Sequence, residues 1–454
     1  MRLPLIAATA ALALAGCQQP GSQDPLVGFG PNAPLPKAHK PFLLPMFDTP
    51  KAVGWPAGAA PQAPSGFHVS RFAEGLDHPR WAYVLPNGDV LVSESASQPS
   101  PEDHTMKGVE AFASKIMMKK VGSVKPSPNK IYLLRDANGD GIAETTTLFA
   151  QGLTRPFGMV LVGDTLYVAN DNGVVKYAYQ PGQTSVSGAG EKVFDLPGGP
   201  INHHWTKNVN ASPDGTKLYA TVGSNSNIGE NGLDAEEGRA AIWEYDLASK
   251  QARLYASGIR NPNGIDFEPT THQMWTVSNE RDEIGNDLPP DYLTRVKDGA
   301  FYGWPYSYWG QNVDDRVKPQ NPQMVAIATK PDFGLGAHVA ALSVVFYTAD
   351  LFPASYKGGA FIGEHGSWNR KPLNGYQVVF IPFAGGEPQN RPQAFLSGFL
   401  NKNQEIQGRP VGVAVDRKGA LLVADDVGGI IWRVTPTPAA ASPPAFAGRG
   451  DHRP

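Results

Sequence analysis

A few short stretches of this chain hold side chains that could do chemistry together. His203-His204-Trp205 stands just ahead of the turn Pro213-Asp214-Gly215-Thr216. A neutral imidazole is a base near neutral pH. Adjacent histidines on an extended segment point to opposite faces, so one of the two faces any given cavity and both cannot easily serve one metal ion. Arg260-Asn261 precedes Pro262, and the proline biases Asn261 toward an extended conformation at a strand entrance. A guanidinium there suits a planar carboxylate or phosphate. Arg155-Pro156 and Arg409-Pro410 repeat the arrangement. If their segments are equivalent units around an axis, these arginines converge; otherwise each pairs with a carboxylate of its neighbour. Beyond the next apolar run comes Asn279-Glu280-Arg281-Asp282-Glu283, a charged loop.

Other chemistry is excluded. The chain has no Gly-x-Ser-x-Gly elbow, phosphate loop or dinucleotide fingerprint. It has one cysteine and no His-x-x-x-His pair, so zinc and iron sites are not supplied, and redox chemistry must use another bound cofactor. Charged residues are 18% with net charge −3 and no long basic run, which argues against nucleic acid. Asp136-Ala-Asn-Gly-Asp-Gly-Ile-Ala-Glu144 matches the first half of a calcium loop, but Thr147 stands where the bidentate Glu belongs. We read it as a hairpin turn, with a structural calcium as the alternative.

The elements that position these residues are strands. With 50 Gly and 42 Pro punctuating short apolar runs, the chain reads as all-β. From Phe67 a unit recurs at the spacing of propeller blades: a Gly followed within four residues by Pro in most copies, then apolar run, turn and apolar run. Its copies start at Gly75, Gly152, His204, Gly258, His338 and Gly408. Asn-Gly and Asp-Gly between such runs are hairpin signals. We expect a six-bladed β-propeller over 66–434, closed by pairing Phe67–Phe72 with Ile430–Val434. Met106 to Val121 has apolar residues at helical spacing and reads as an inserted helix.

The N-terminus reads as an address. Arg2 precedes an apolar run, Leu3 to Ala15, too short to span a bilayer. Leu14-Ala15-Gly16-Cys17 resembles a bacterial lipobox, which makes 1–17 a lipoprotein signal peptide and Cys17 the lipidated residue. Gln18 in the next position favours the outer membrane. The expected location is the periplasmic face of a membrane. Residues 18–65, rich in Pro, Ala and Gly, read mostly as a tether, and 435–454 as a disordered tail.

Five segments carry a family likeness: IRNPNGIDF (259–267), SNERDEIGNDLPPDYL (278–293), FYGWPYSYWG (301–310), GEHGSWNRKPLNGYQVV (363–379) and GRPVGVAVD (408–416). They resemble the sorbosone dehydrogenase family and, more distantly, soluble quinoprotein glucose and aldose sugar dehydrogenases. The resemblance implies a propeller binding pyrroloquinoline quinone (PQQ) and calcium, and oxidising a sugar or sugar-derived aldehyde. By position it makes His204 the catalytic base, with His203 as the alternative. Arg260 and Asn261 then contact the quinone and Arg409 holds a cofactor carboxylate. Trp368 and Arg370 stand where related enzymes place a lysine and further cofactor contacts. Calcium falls to Glu280, Arg281 and Asp282, through backbone or side-chain oxygens. Electrons then pass to a cytochrome c or a quinone. A lactonase-type calcium hydrolase and a non-catalytic glycan- or protein-binding propeller are the rival readings.

Overall fold

The computed structural model describes residues 21–22, 24, 26–38, 50–97 and 126–437. The expected helix at 106–121, Cys17 and the tail from 438 lie outside them. Six antiparallel blades, five of four strands and one of four plus an added edge strand, follow one another along the chain. Blade 1 comprises Pro79–Val84, Val90–Glu94, Lys130–Arg135 and Thr145–Ala150. Blades 2 to 5 begin with the inner strands Met159–Val162, Val209–Ala211, Asn261–Phe267 and Ala341–Phe346. Blade 6 begins with Pro410–Val415 and ends with Ile430–Pro436. The strand Phe67–Glu74 pairs with this last strand, Val69 opposite Val434, so the first blade strand of the chain completes the last blade. The expected closure is observed, with its outer strand two residues longer than expected.

Strands form where the sequence alternates, and blades stack where the apolar faces meet. In blade 6, Leu421, Val423, Trp432 and Val434 are fully buried and pack against Phe361, Phe380 and Phe395 of blade 5. Around the axis the packing is tighter still. A Cβ on Gly158 of blade 2 would lie 2.6 Å from the Val209 backbone nitrogen of blade 3. A Cβ on Gly264 of blade 4 would come within 2.5 Å of Val344 N in blade 5, and one on Gly412 of blade 6 within 2.7 Å of the Arg80 carbonyl in blade 1. Glycines of the even blades thus let the inner strands of the odd blades approach, and each follows an Arg-Pro or Arg-Asn-Pro by two residues.

The described parts of the Pro/Ala/Gly-rich stretch are bonded to the propeller rather than standing off from it. Phe29–Gly30 adds a fifth strand to blade 4, against Gly334 and Leu335. Gln62 and Ser397 exchange backbone hydrogen bonds of 2.8 and 2.9 Å. Trp55 donates its indole N–H to Asp425 at 2.6 Å and packs edge-on against Phe399 and Trp432. At those points apolar burial and satisfied backbone groups outweigh the entropy of a free linker. Trp55→Ala is expected to lower stability by about 3 kcal/mol, read as a shifted midpoint in urea unfolding. An unchanged midpoint would show that the segment adds nothing to the fold.

Candidate active site

All inner strands begin at one end of the propeller, and the polar residues just ahead of them form a cup. Contacts run around it from blade to blade. Ser224 N–H donates to the Arg260 carbonyl at 2.7 Å. Asn279 Nδ2 donates to the Ala341 carbonyl at 2.9 Å, and Arg409 Nε to the His365 carbonyl at 2.9 Å. Arg80 pairs with Asp426, and both Arg80 and Arg155 lie over the Trp205 ring, at 5.7 and 5.8 Å from its centroid.

His204 sits half-buried in this cup, whereas His203 is exposed beside it, their rings 5.2 Å apart. Nδ1 of His204 lies 2.8 Å from the Ser224 carbonyl oxygen and 3.0 Å from its hydroxyl. A carbonyl only accepts, so Nδ1 carries the hydrogen and Nε2 keeps its lone pair. Burial, reinforced by the Arg260 charge, pushes the imidazole well below the usual histidine range. A neutral base results. Beneath it Lys207, fully buried, donates to the His204 carbonyl at 3.1 Å. Gly223 is required here, since a Cβ would lie 2.4 Å from both Asn261 Oδ1 and His204 Cβ.

Arg260 is almost fully buried in a cage of oxygens. Its N–H groups reach the Asn227 carbonyl (3.2 Å), Asn227 Oδ1 (3.0 Å), the Glu280 carbonyl (2.7 Å) and Asp282 Oδ2 (3.2 Å). Hydrogen bonds and charge from His338 and Arg260 hold Asp282 well below the usual carboxylate range despite its burial, and Asp282 raises His338 in turn. Asn369 Nδ2 also donates to Asp282, at 2.6 Å. Next to Arg260, Asn261 donates to Asn279 Oδ1 at 3.1 Å, while its own Oδ1 is buried without a hydrogen-bond partner.

The calcium ligands expected at Glu280, Arg281 and Asp282 are not assembled. The oxygens that gather there are filled by the Arg260 guanidinium. Burial pushes the Glu280 acid up to about 7, its Oε2 accepting only a 3.3 Å bond from Arg281 N–H. Arg281 is buried in a 2.8 Å ion pair with Asp314. Among the described residues, three carboxylates come together instead at Asp136, Asp140 and Glu144, with oxygens within 4.8 Å. That loop is the hairpin turn we expected: Asp136 accepts the Gly139 and Gly141 N–H groups at 2.7 and 2.9 Å.

The remaining expected residues divide. Arg409 bonds the neutral carbonyls of His365 and Gly366, both at 2.9 Å, and lies 5.5 Å from the Tyr376 ring centroid. Arg155 pairs with Asp171. Arg370 is used up structurally, donating to the carbonyls of Asn286, Pro372 and Ser22 and to Asp287. Trp368 is half-buried on the same loop. Sequence reading missed Ser224, Asn227, His338 and the His365–Asp426 pair, 2.9 Å apart. His365 lies inside the quoted GEHGSWNR block; the others carry no local motif and meet only through the ring.

The fold is a six-bladed β-propeller of the quinoprotein glucose dehydrogenase-like class. The comparisons agree. The chain matches the family described as TrAA12-like over residues 131–298 and 317–437, and it belongs to that family. It is 27% identical over 294 residues to a pyrroloquinoline quinone-dependent pyranose dehydrogenase of Coprinopsis cinerea, covering 51% of this chain and 39% of that protein. The holo PQQ domain of the Coprinopsis cinerea enzyme superposes with a TM-score of 0.64 at 21% identity, covering 85% of this chain and 99% of that one. A calcium structure of a Trichoderma reesei family AA12 protein gives a TM-score of 0.65 at 20% identity, covering 83% of this chain and 97% of that one. These structural likenesses concern the fold.

One buried acid near the cup gives a measurable signature. Glu364 ends the second strand of blade 5; burial pushes it up to about 8, with Gln377 donating to Oε2 at 2.9 Å. The unfolded chain releases this proton near the ordinary value of 4.5. The folded state therefore binds more protons between these values, and Glu364 makes stability fall as pH rises through that window. Glu364→Gln, which mimics the protonated acid, is expected to raise the melting temperature by several degrees at pH 8 and to leave it nearly unchanged at pH 5. An equal loss at both values would refute the assignment.

Proposed function

We propose that the protein is a PQQ-dependent dehydrogenase of sugars or sugar-derived aldehydes, with His204 as the general base. The observation that carries this reading is the state of His204: neutral, with Nδ1 committed to Ser224 and Nε2 available beside a fixed guanidinium. The cup fits a planar, polycarboxylated quinone in its donor set. Arg409 spends its hydrogen bonds on neutral carbonyls and shares the field of Asp426 with Arg80 and His365, so its guanidinium is not matched one to one and can take a further carboxylate. Asn261, whose buried Oδ1 is unpartnered, and Arg260 line the same wall. We place the cofactor against Arg260, Asn261 and Arg409, with Trp368 at the rim and Arg370 holding the loop that carries it.

When bound, PQQ supplies a two-electron acceptor for hydride leaving a carbinol or hydrated-aldehyde carbon. The protein's own part is proton removal and charge control. Nε2 of His204 takes the O–H proton of the substrate as the hydride departs. The Ser224 carbonyl then faces an imidazolium whose Nδ1–H it already accepts, so the ring does not turn during transfer. Arg260, held by four acceptor bonds, keeps a fixed positive charge where negative charge develops and needs no reorganisation. Asp282 compensates that charge from behind and fixes the guanidinium plane. No step is assigned to calcium, since residues 280–282 offer no open ligand set; a requirement for it is settled by the assay below. Electron delivery to a cytochrome c or membrane quinone, and anchoring through Cys17 at a periplasmic membrane surface, belong to the same proposal; the lipobox-like sequence supports them.

Spectral titration of the apoprotein with PQQ, with and without calcium, followed by a dye-linked assay over sugars and aldehydes, tests the reading. Quinone binding and dye reduction are expected, and absence of any quinone binding would sink it. His204→Ala is expected to keep PQQ binding and to lower kcat about a hundred- to ten-thousand-fold. Because the His204 pKa is depressed, kcat/KM should stay level on acidification through the ordinary histidine range, losing activity only below it. An acid limb within the ordinary histidine range would overturn the assignment of His204 as the base.

A further inference from the structure

At the end of the propeller opposite the cup, blades 3 and 4 form an open cavity of about 700 Å³. It is bounded by the turn Pro213–Thr216 and by His272-Gln273, the hairpin ends of the two inner strands that begin near His204 and Arg260. The inner strand Asn261–Phe267 separates the two sites, a distance of about 20 Å at the rise of a β-strand. The cup and this cavity therefore cannot hold the same small molecule.

The lining has two parts. One is a cluster of rings: Tyr219 lies 5.1 Å from Tyr255 and 5.9 Å from Phe267 by ring centroids. Arg253 lies over one face of Tyr255, 5.4 Å from its centroid, and what remains of this half-buried ring lines the cavity together with the half-buried Phe267. The other part is a rim of donors and acceptors, with Asp214, Gln273 and Lys297 all exposed. The charge balance decides what this surface suits. Lys217 is paired with Glu244 at 3.0 Å, and Arg295 with Asp332 at 2.7 Å and Glu387 at 2.5 Å. The charges left facing the cavity are Lys297 and Asp214, one of each sign. A polyanion would meet Asp214 without a compensating excess of cations, and an acyl chain would leave the polar rim unused. A neutral ring with apolar C–H faces and hydroxyl edges uses both parts.

We propose that this cavity is a second, non-catalytic binding site for a neutral oligosaccharide, its ring faces resting on Tyr255 and Phe267 and its hydroxyls on Asp214, Gln273 and Lys297. The site is independent of the redox reading and holds whether or not the cup oxidises a sugar. Saturation-transfer NMR on the full chain with cellotriose and with maltotriose tests it. Transfer to the ring protons of at least one trisaccharide is expected for the wild type and equally for His204→Ala. Tyr255→Phe, which keeps the ring, should retain the signal, and Tyr255→Ala should lose most of it. Should Tyr255→Ala fail to fold, Lys297→Ala carries the same expectation of a weakened signal. No transfer to either trisaccharide overturns the proposal. So does a signal that His204→Ala abolishes while Tyr255→Ala and Lys297→Ala keep it, because the sugar then sits in the cup.

Discussion

The contact on which the rest of this molecule depends is the approach of neighbouring inner strands around the axis. At Gly158, Gly264 and Gly412 a single added carbon would fall within 3 Å of the next strand's backbone, a separation that packed atoms do not tolerate. These glycines draw the strands together, and with them the residues immediately upstream. Arg155, Arg260 and Arg409 are therefore brought to one end of the ring by the same requirement that closes its centre. Structure and candidate chemistry share one constraint: the spacing between an arginine, a proline and a glycine.

Bringing cations together at a buried axis is costly unless each is compensated. The cup solves this unevenly. Arg80, Arg155 and Arg260 are matched by Asp426, Asp171 and Asp282, whereas Arg409 rests on peptide oxygens. The imidazole of His204 stays neutral because burial penalises its charged form and a proton there would add to the same field. Opposite shifts follow: Asp282 and Asp426 are held ionised, and Glu280, Asp291 and Glu364 are pushed toward the neutral acid.

The propeller, its blade starts and its closing strand pair were legible in the sequence because each is written in local signals: period-two alternation, Asn-Gly and Asp-Gly turns, and a Gly followed closely by Pro at most blade starts. Much of the cup was legible for the same reason, since His204, Arg260, Asn261 and Arg409 each sit at a repeated strand entrance. The partners were not. Ser224, Asn227 and His338 act through hydrogen bonds across blades, and no spacing in one segment reports on them. The calcium expectation at 280–282 failed to assemble because a loop rich in carboxylates says nothing about which cation fills its oxygens; here the chain's own guanidinium does. Arg370 misled for a related reason, being spent on tying the segment at Ser22 to the loop of Asp287. The segment around Trp55 read as tether by composition, but one tryptophan meeting Asp425, Phe399 and Trp432 changes its status.

Closure of blade 6 by Phe67–Glu74 has a consequence for how the molecule comes into being. This strand is made before blade 1, yet its partner, Ile430–Pro436, is the last strand of blade 6. Until then one β-edge lacks its ladder, and the ring cannot seal. Such distant pairing slows folding and leaves an unpaired edge open to other chains. Maturation of the propeller therefore hinges on a late event joining its first and last strands, and any factor that shields Phe67–Glu74 during that interval acts on yield without touching the finished protein.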